Sequence, residues 1–237
     1  MQSDNTSAEV SDPSAGLSRR RIMGSIGVAV AGGLVAGVAG APPASAATSG
    51  AGPAATGRAG DTLFEFVCRI GQLGEDFTGR GYLTDVSGLD SDTLFTGDPR
   101  DEAHARYLLT ATGLLVARSV DGAVHALNIV GKLAIYYSQS GGAAWSNPAG
   151  FAVGSPIAAY DLELQDVLTV IMPGTGIPTL NGVATQTGAG RVKGRPFGRQ
   201  KSTSRFIATG LGTRSDTNPT PENAEATLTV AGSMIAT

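Results

Sequence analysis

The stretch Tyr160-Asp161-Leu162-Glu163-Leu164-Gln165-Asp166-Val167-Leu168-Thr169-Val170 decides the fold. Tyr160, Leu162, Leu164, Leu168 and Val170 fall on one side of an extended chain, and Asp166 interrupts their row. Asp161, Glu163, Gln165 and Thr169 fall on the other side. Period-two alternation marks a strand with one packed face and one solvated face, as in a barrel wall. One strand alone does not say which face looks inward.

Working outward from it, β-branched and aromatic runs alternate with Gly, Asp, Asn and Pro, and no amphipathic helix of three turns is found. Eight strands are expected: Thr62–Gln72, Gly79–Gly88, Ala103–Val120, Ala123–Ser138, Pro156–Met172, Gly182–Lys193, Ser202–Gly212 and Ala224–Ile235. Asp121-Gly122 joins the third and fourth as a hairpin, because both turn positions tolerate positive φ. A Gly-rich loop with Trp145 and Pro148 precedes the fifth strand. Pro173 to Pro178 forms a turn, and Pro219-Thr220-Pro221 a loop. These strands exceed the usual five or six residues. Eight of them in antiparallel order suit an all-β fold, a single closed eight-stranded barrel without exposed edges. Gly113, Gly131, Gly188, Gly190, Gly210 and Gly232 fit bends and close packing in its wall. A β-sandwich is the alternative, with shorter strands and more crossing loops.

The barrel is assigned to residues 61–237. Ahead of it, Ser18-Arg19-Arg20-Arg21-Ile22-Met23 precedes an uncharged stretch, Gly24 to Gly40, and then Ala44-Ser45-Ala46. This pattern resembles a bacterial twin-arginine signal, with Ile22 and Met23 at the usual Phe and Leu positions and Gly24 departing from the usual Lys. The resemblance implies that 1–46 is an export address, cut between Ala46 and Ala47, with the twin-arginine machinery as partner and a secreted or cell-envelope location. The alternative is an uncleaved anchor, but six glycines and Pro42-Pro43 make a poor span. Residues 47–60 are Ala, Gly, Thr and Pro with one Arg, and read as a flexible linker.

The chain has 17 Lys and Arg against 20 Asp and Glu, a net charge of −3. Such a balance gives no reason to expect nucleic acid as a partner. Cys68 is the only cysteine, so an intrachain disulfide is excluded and stability rests on packing. Its place beside Phe64 and Phe66 reads as a buried structural thiol.

Architecture and local texture resemble the allene oxide cyclase and dirigent barrel group. Gly79-Arg80-Gly81-Tyr82, the long pair through Asp121-Gly122, and the run Gly174-Thr175-Gly176-Ile177-Pro178-Thr179-Leu180-Asn181-Gly182 carry the likeness. The resemblance spans Thr62 to Ile235 and aligns no catalytic motif. It implies a barrel that handles a hydrophobic small molecule, as a cyclase, an isomerase or a guide for coupling. Lipocalin-like carriage, or interaction at the cell surface, is the alternative.

No cofactor is expected. Walker and dinucleotide fingerprints are absent, Gly188-Ala189-Gly190 leads into no helix, and the Gly-x-Ser-x-Gly elbow is missing. No metal is expected either, because His104 and His125 stand in no ligand spacing. The acids Asp85, Asp90, Asp92, Asp98, Asp101 and Glu102 read as solvated loop charge. Asp166 is the leading catalytic candidate, since an isolated carboxyl in an apolar barrel has a raised pKa and can act as an acid. His125, on the Leu127, Ile129 and Leu133 side of its strand, is a candidate acid or base. Tyr82 and Tyr160 are further polar handles, among lumen candidates that also include Glu65, Arg69, Asn128, Tyr136 and Arg205. Arg191, Arg195 and Arg205, in a stretch without acids, form a candidate anion-receiving rim. The same basic stretch could meet the acidic loop of a neighbouring copy in a homo-oligomer.

Overall fold

The computed structural model describes residues 52–214 and 225–237. The expected export signal, its expected cut between Ala46 and Ala47, and the expected Pro219-Thr220-Pro221 loop lie outside the described residues. Along the chain run β1 (Thr62–Leu73), β2 (Asp76–Val86), the short helix α1 (Ser91–Leu94), β3 (Tyr107–Asp121) and β4 (Val124–Tyr137). A 3₁₀ turn (Pro148–Ala152) leads to β5 (Ser155–Met172), β6 (Thr175–Ile177), β7 (Thr179–Ala189), β8 (Arg191–Val192), β9 (Arg195–Pro196), β10 (Thr203–Arg214) and β11 (Ala226–Ala236).

The long strands pair antiparallel in the order β1-β2-β3-β4-β5-β7-β10-β11, and β11 returns to β1. The fold is a closed eight-stranded antiparallel barrel. Closure leaves no long strand with an open edge. β5 outruns β7, and its extra length pairs with β6, which in turn meets β10.

All eight expected strands are present, with shifted ends. β3 begins at Tyr107 rather than Ala103, because residues 101–105 form a turn in which His104 and Ala105 donate backbone bonds to Asp101. β7 runs Thr179–Ala189 rather than Gly182–Lys193. It stops at Gly190, whose N–H turns to Ile157 and whose carbonyl accepts from Phe197, and the small β8–β9 hairpin follows. At Gly210 the neighbouring β11 backbone approaches so closely that a Cβ would collide with the Thr229 carbonyl.

Even-numbered side chains of β5 and odd-numbered ones of β4 point inward. Leu133, Leu162, Leu164 and Leu180 meet Phe66, Cys68 and Leu109 there. Cys68 is buried, and burial pushes its thiol up to about 12, as suits a structural residue.

The two ends differ. At one end Phe197 lies between Phe64 and Tyr107, at ring separations of 6.5 and 6.2 Å. The connection carrying Phe197 is tied down by buried Gln186, whose amide donates to the Phe197 carbonyl and accepts from the Arg199 N–H. Ala54 pairs with Phe197, and Ala54 and Ala55 are buried. Part of the expected flexible linker is therefore packed: small side chains let residues 53–57 lie flat over the barrel end. The other end carries the β1–β2, β3–β4 and β5–β6 turns and is open.

Candidate functional site

Asp166 stands in register with Leu127 on β4 and Leu180 on β7, between Leu164 and Leu168 on its own strand. It is 2% exposed. Its Oδ1 accepts the Thr179 N–H at 3.0 Å, and among the described residues this is its hydrogen-bond partner. Desolvation outweighs that bond and pushes the carboxyl up to about 6, from an ordinary 3.8.

Asp166 separates two spaces. Toward the plugged end lies an apolar cavity of about 60 Å³, lined by Phe66, Ile70, Phe77, Leu109, Ile129 and Leu164 among others. Toward the open end lies a mouth of about 330 Å³, lined by Phe77, Arg118, His125, Leu127, Thr175 and Leu228 among others. The mouth also carries Gln72 and Thr213, and its Arg214 and Glu225 form an exposed ion pair at 2.8 Å.

His125 points inward beside Leu127, one step nearer the opening. It opposes Leu168, two residues from Asp166, so the two residues are diagonal neighbours about 7–8 Å apart. Arg118 stands across β4 from Asp166, in the row Arg118–Leu127–Asp166. An Arg118 Nη lies 3.3 Å from His125 Nδ1. A guanidinium only donates, so Nδ1 accepts and the ring proton sits on Nε2, aimed away from Arg118.

Sequence reasoning did not single out Arg118. Unbroken alternation from Leu109, Ala111 and Gly113 would turn it outward. A bulge between Leu115 and Ala117 reverses the parity and brings Arg118 inside.

The remaining candidates do not join this site. Tyr160 is inward and buried, with burial raising its hydroxyl pKa, but it packs edge-on against Phe64 near the plugged end. Six residues of strand put it about 20 Å from Asp166. Tyr82 is on the outer wall, because Gly81 and Leu83 take the inward positions. It packs against Phe95 and Trp145, and burial followed by the Glu102 and Asp101 charges raises its pKa. Glu65, Arg69, Asn128 and Arg205 also point outward, by the same parity.

The three arginines form no rim. Arg195 donates to the Gly52 and Gly88 carbonyls, Arg191 to the Gly194 carbonyl of its own hairpin, and Arg205 to Asn181 on the outer wall. Arg191 and Arg195 belong to the plugged end, where their fork-shaped donors satisfy loop carbonyls. His104 lies in the surface loop, 2.7 Å from Asp101, and that bond lowers the Asp101 pKa. No group of three or more metal-ligating side chains occurs among the described residues.

Comparison with family models, with curated proteins and with solved structures returns no match for this chain.

Proposed function

We propose that this chain is an exported barrel protein that receives a hydrophobic small molecule in its open mouth, with Asp166, His125 and Arg118 meeting the molecule's polar end. The observation that carries the reading is the place of Asp166. It is a buried carboxyl on an apolar wall, at the floor of a 330 Å³ opening. That volume lies at the lower end of small-molecule pockets, which run from about 300 to 1,000 Å³. The inner cavity of 60 Å³ has space for a methyl-rich tip and little more. The ligand is therefore short or compact, with its apolar end toward Phe77 and Leu228. Val120 and Met172, 54% and 57% exposed beside two turns at this end, extend the apolar surface outward.

A second reading, a cyclase or isomerase of the allene oxide cyclase type, is favoured by one observation. A carboxyl titrating near 6 populates both proton states around neutral pH, as a proton donor and acceptor must. His125 is near enough for the two to act on opposite ends of one small substrate. Tyr82 and Tyr160 take no part in such a step, so catalysis would rest on Asp166 and His125. Export through the twin-arginine route belongs to the same proposal and rests on residues 18–46 of the sequence.

Titration with the uncharged fluorophore 1-aminoanthracene tests the binding reading. Saturable enhancement is expected in the native chain, and its loss in Leu127→Trp, which fills the mouth. A native chain that gives no saturation, or a variant that binds equally well, would refute the reading. Mass spectrometry of the ligand before and after incubation separates carriage from catalysis.

A further inference from the structure

Arg69 on β1 and Arg80 on β2 are directly opposed in register. Their neighbours Cys68, Ile70 and Gly79 line the lumen, so both arginines stand on the outer wall. Like charges directly opposed across two strands repel. Such a pair normally carries a carboxylate nearby, yet none lies within 4.0 Å of either guanidinium among the described residues. Asp101 and Glu102 come near enough to act on Tyr82 in the next row, but neither pairs with these arginines.

Two further observations concern the same spot. Arg80 Nε is buried and has no hydrogen-bond partner, a state that costs the full desolvation of a charged donor. The Arg69 guanidinium is held 4.3 Å from the centre of the Trp145 ring, which fixes its fork over the sheet. Thr110 flanks Arg80 and Thr229 flanks Arg69 in the same row. An oxyanion accepting from the two guanidinium forks would relieve the repulsion between them.

We propose that Arg69 and Arg80 form an outer-wall binding site for a phosphate or sulfate group, with Trp145 as its stacking support. The site is separate from the mouth and does not depend on its ligand.

Trp145 is the only tryptophan, so its emission reports on this site alone. The experiment titrates the full chain with inorganic phosphate, with sulfate, and with chloride at matched ionic strength. Phosphate or sulfate should give a saturable change that chloride does not. Arg80→Gln, which leaves the Arg69–Trp145 contact in place, should weaken binding about tenfold or more, since a charge-assisted bond is lost. Vesicles of phosphatidylglycerol, set against phosphatidylcholine, identify the source. A response to the anionic vesicles beyond that to free phosphate marks a lipid headgroup, and an equal response marks the free ion. Identical curves for phosphate and chloride would overturn the proposal, and so would an Arg80→Gln variant that titrates like the native chain. The native phosphate-against-chloride comparison decides the matter even where the variant does not fold.

Discussion

Replacing Asp166 by Asn tests the electrostatic reading of the lumen directly. In the fold the carboxyl titrates near 6, and in the unfolded chain near its ordinary 3.8. The folded state therefore holds this proton more tightly than the unfolded state. Below pH 3.8 both states are protonated and Asp166 costs nothing. As pH rises from about 4 to about 6, the unfolded chain ionises first and native stability falls. Above 6 the penalty is constant, at about 3 kcal/mol for a gap of this size. Asn keeps an oxygen for the Thr179 N–H and removes the charge. The variant should exceed the native chain by only about 0.5 kcal/mol at pH 4 and by about 2–3 kcal/mol at pH 7.5. At this chain length that corresponds to roughly 4–12 °C in melting temperature. Urea unfolding of both proteins at a series of pH values gives the difference, in which the titration of all other acids cancels. A difference that does not change between pH 4 and 7.5 would refute the argument, as would an Asn variant that is the weaker protein at pH 7.5.

Further outcomes follow from other parts of the structure. Cys68, buried and pushed up to about 12, should resist iodoacetamide at pH 8 in the native protein and react rapidly in urea; equal labelling would contradict its burial. Arg195→Ala removes three bonds to the Gly52 and Gly88 carbonyls and should cost about 1–3 kcal/mol. Limited proteolysis of that variant should cut within residues 52–60 well before the native chain is cut there. Gly210→Ala drives a Cβ into the Thr229 carbonyl of the paired strand, and a loss above roughly 3 kcal/mol or failure to fold is expected from circular dichroism melts. A variant that melts with the native protein would mean that β10 and β11 pair less closely than described.

The barrel was legible because its evidence is local and repeated. Period-two alternation in Tyr160–Val170 and the Asp121-Gly122 turn each act within one hairpin, and all eight strands followed from such signals. Asp166 was legible for the same reason, as one carboxyl breaking a row of leucines. What escaped depends on long-range packing. Residues 53–57 read as linker because Ala and Gly carry no amphipathic pattern, and only the partner at Phe197 gives Ala54 a place to be buried. Tyr82 has the composition of a lumen residue, but its facing was decided by Gly79 and Gly81 taking the inward positions. Arg118 was hidden by a bulge, which shifts parity by one residue without leaving a mark in composition. The basic stretch from Arg191 to Arg205 looked like one functional unit because charge was counted along the chain. In space it divides between the β8–β9 hairpin, the plugged end and the outer wall of β10.

The difference between the two barrel ends bears on whether this protein carries or converts its ligand. A carrier gains from a deep apolar lumen, because affinity grows with buried apolar area. Here the aromatic plug of Phe64, Tyr107 and Phe197 occupies that depth, and 60 Å³ remains. Asp166 stands at the boundary between the small cavity and the larger mouth, and His125 and Arg118 line the mouth alone. A ligand seated there buries part of its surface against Phe77, Leu127 and Leu228 and leaves the rest near His125 and Arg118. Binding from area alone would then be modest, and orientation comparatively strong, because a buried carboxyl accepts a limited set of partners. A site of that kind selects a ligand by where its polar group lies rather than by its length. Compounds of equal apolar surface that differ only in the position of one hydroxyl should therefore differ in affinity. The difference should shrink in Asp166→Asn above pH 6, where the native carboxylate can only accept and the amide can also donate. A series ranked by apolar surface alone, with no effect of hydroxyl position, would place the binding energy in the mouth's walls and leave Asp166 without a recognition role.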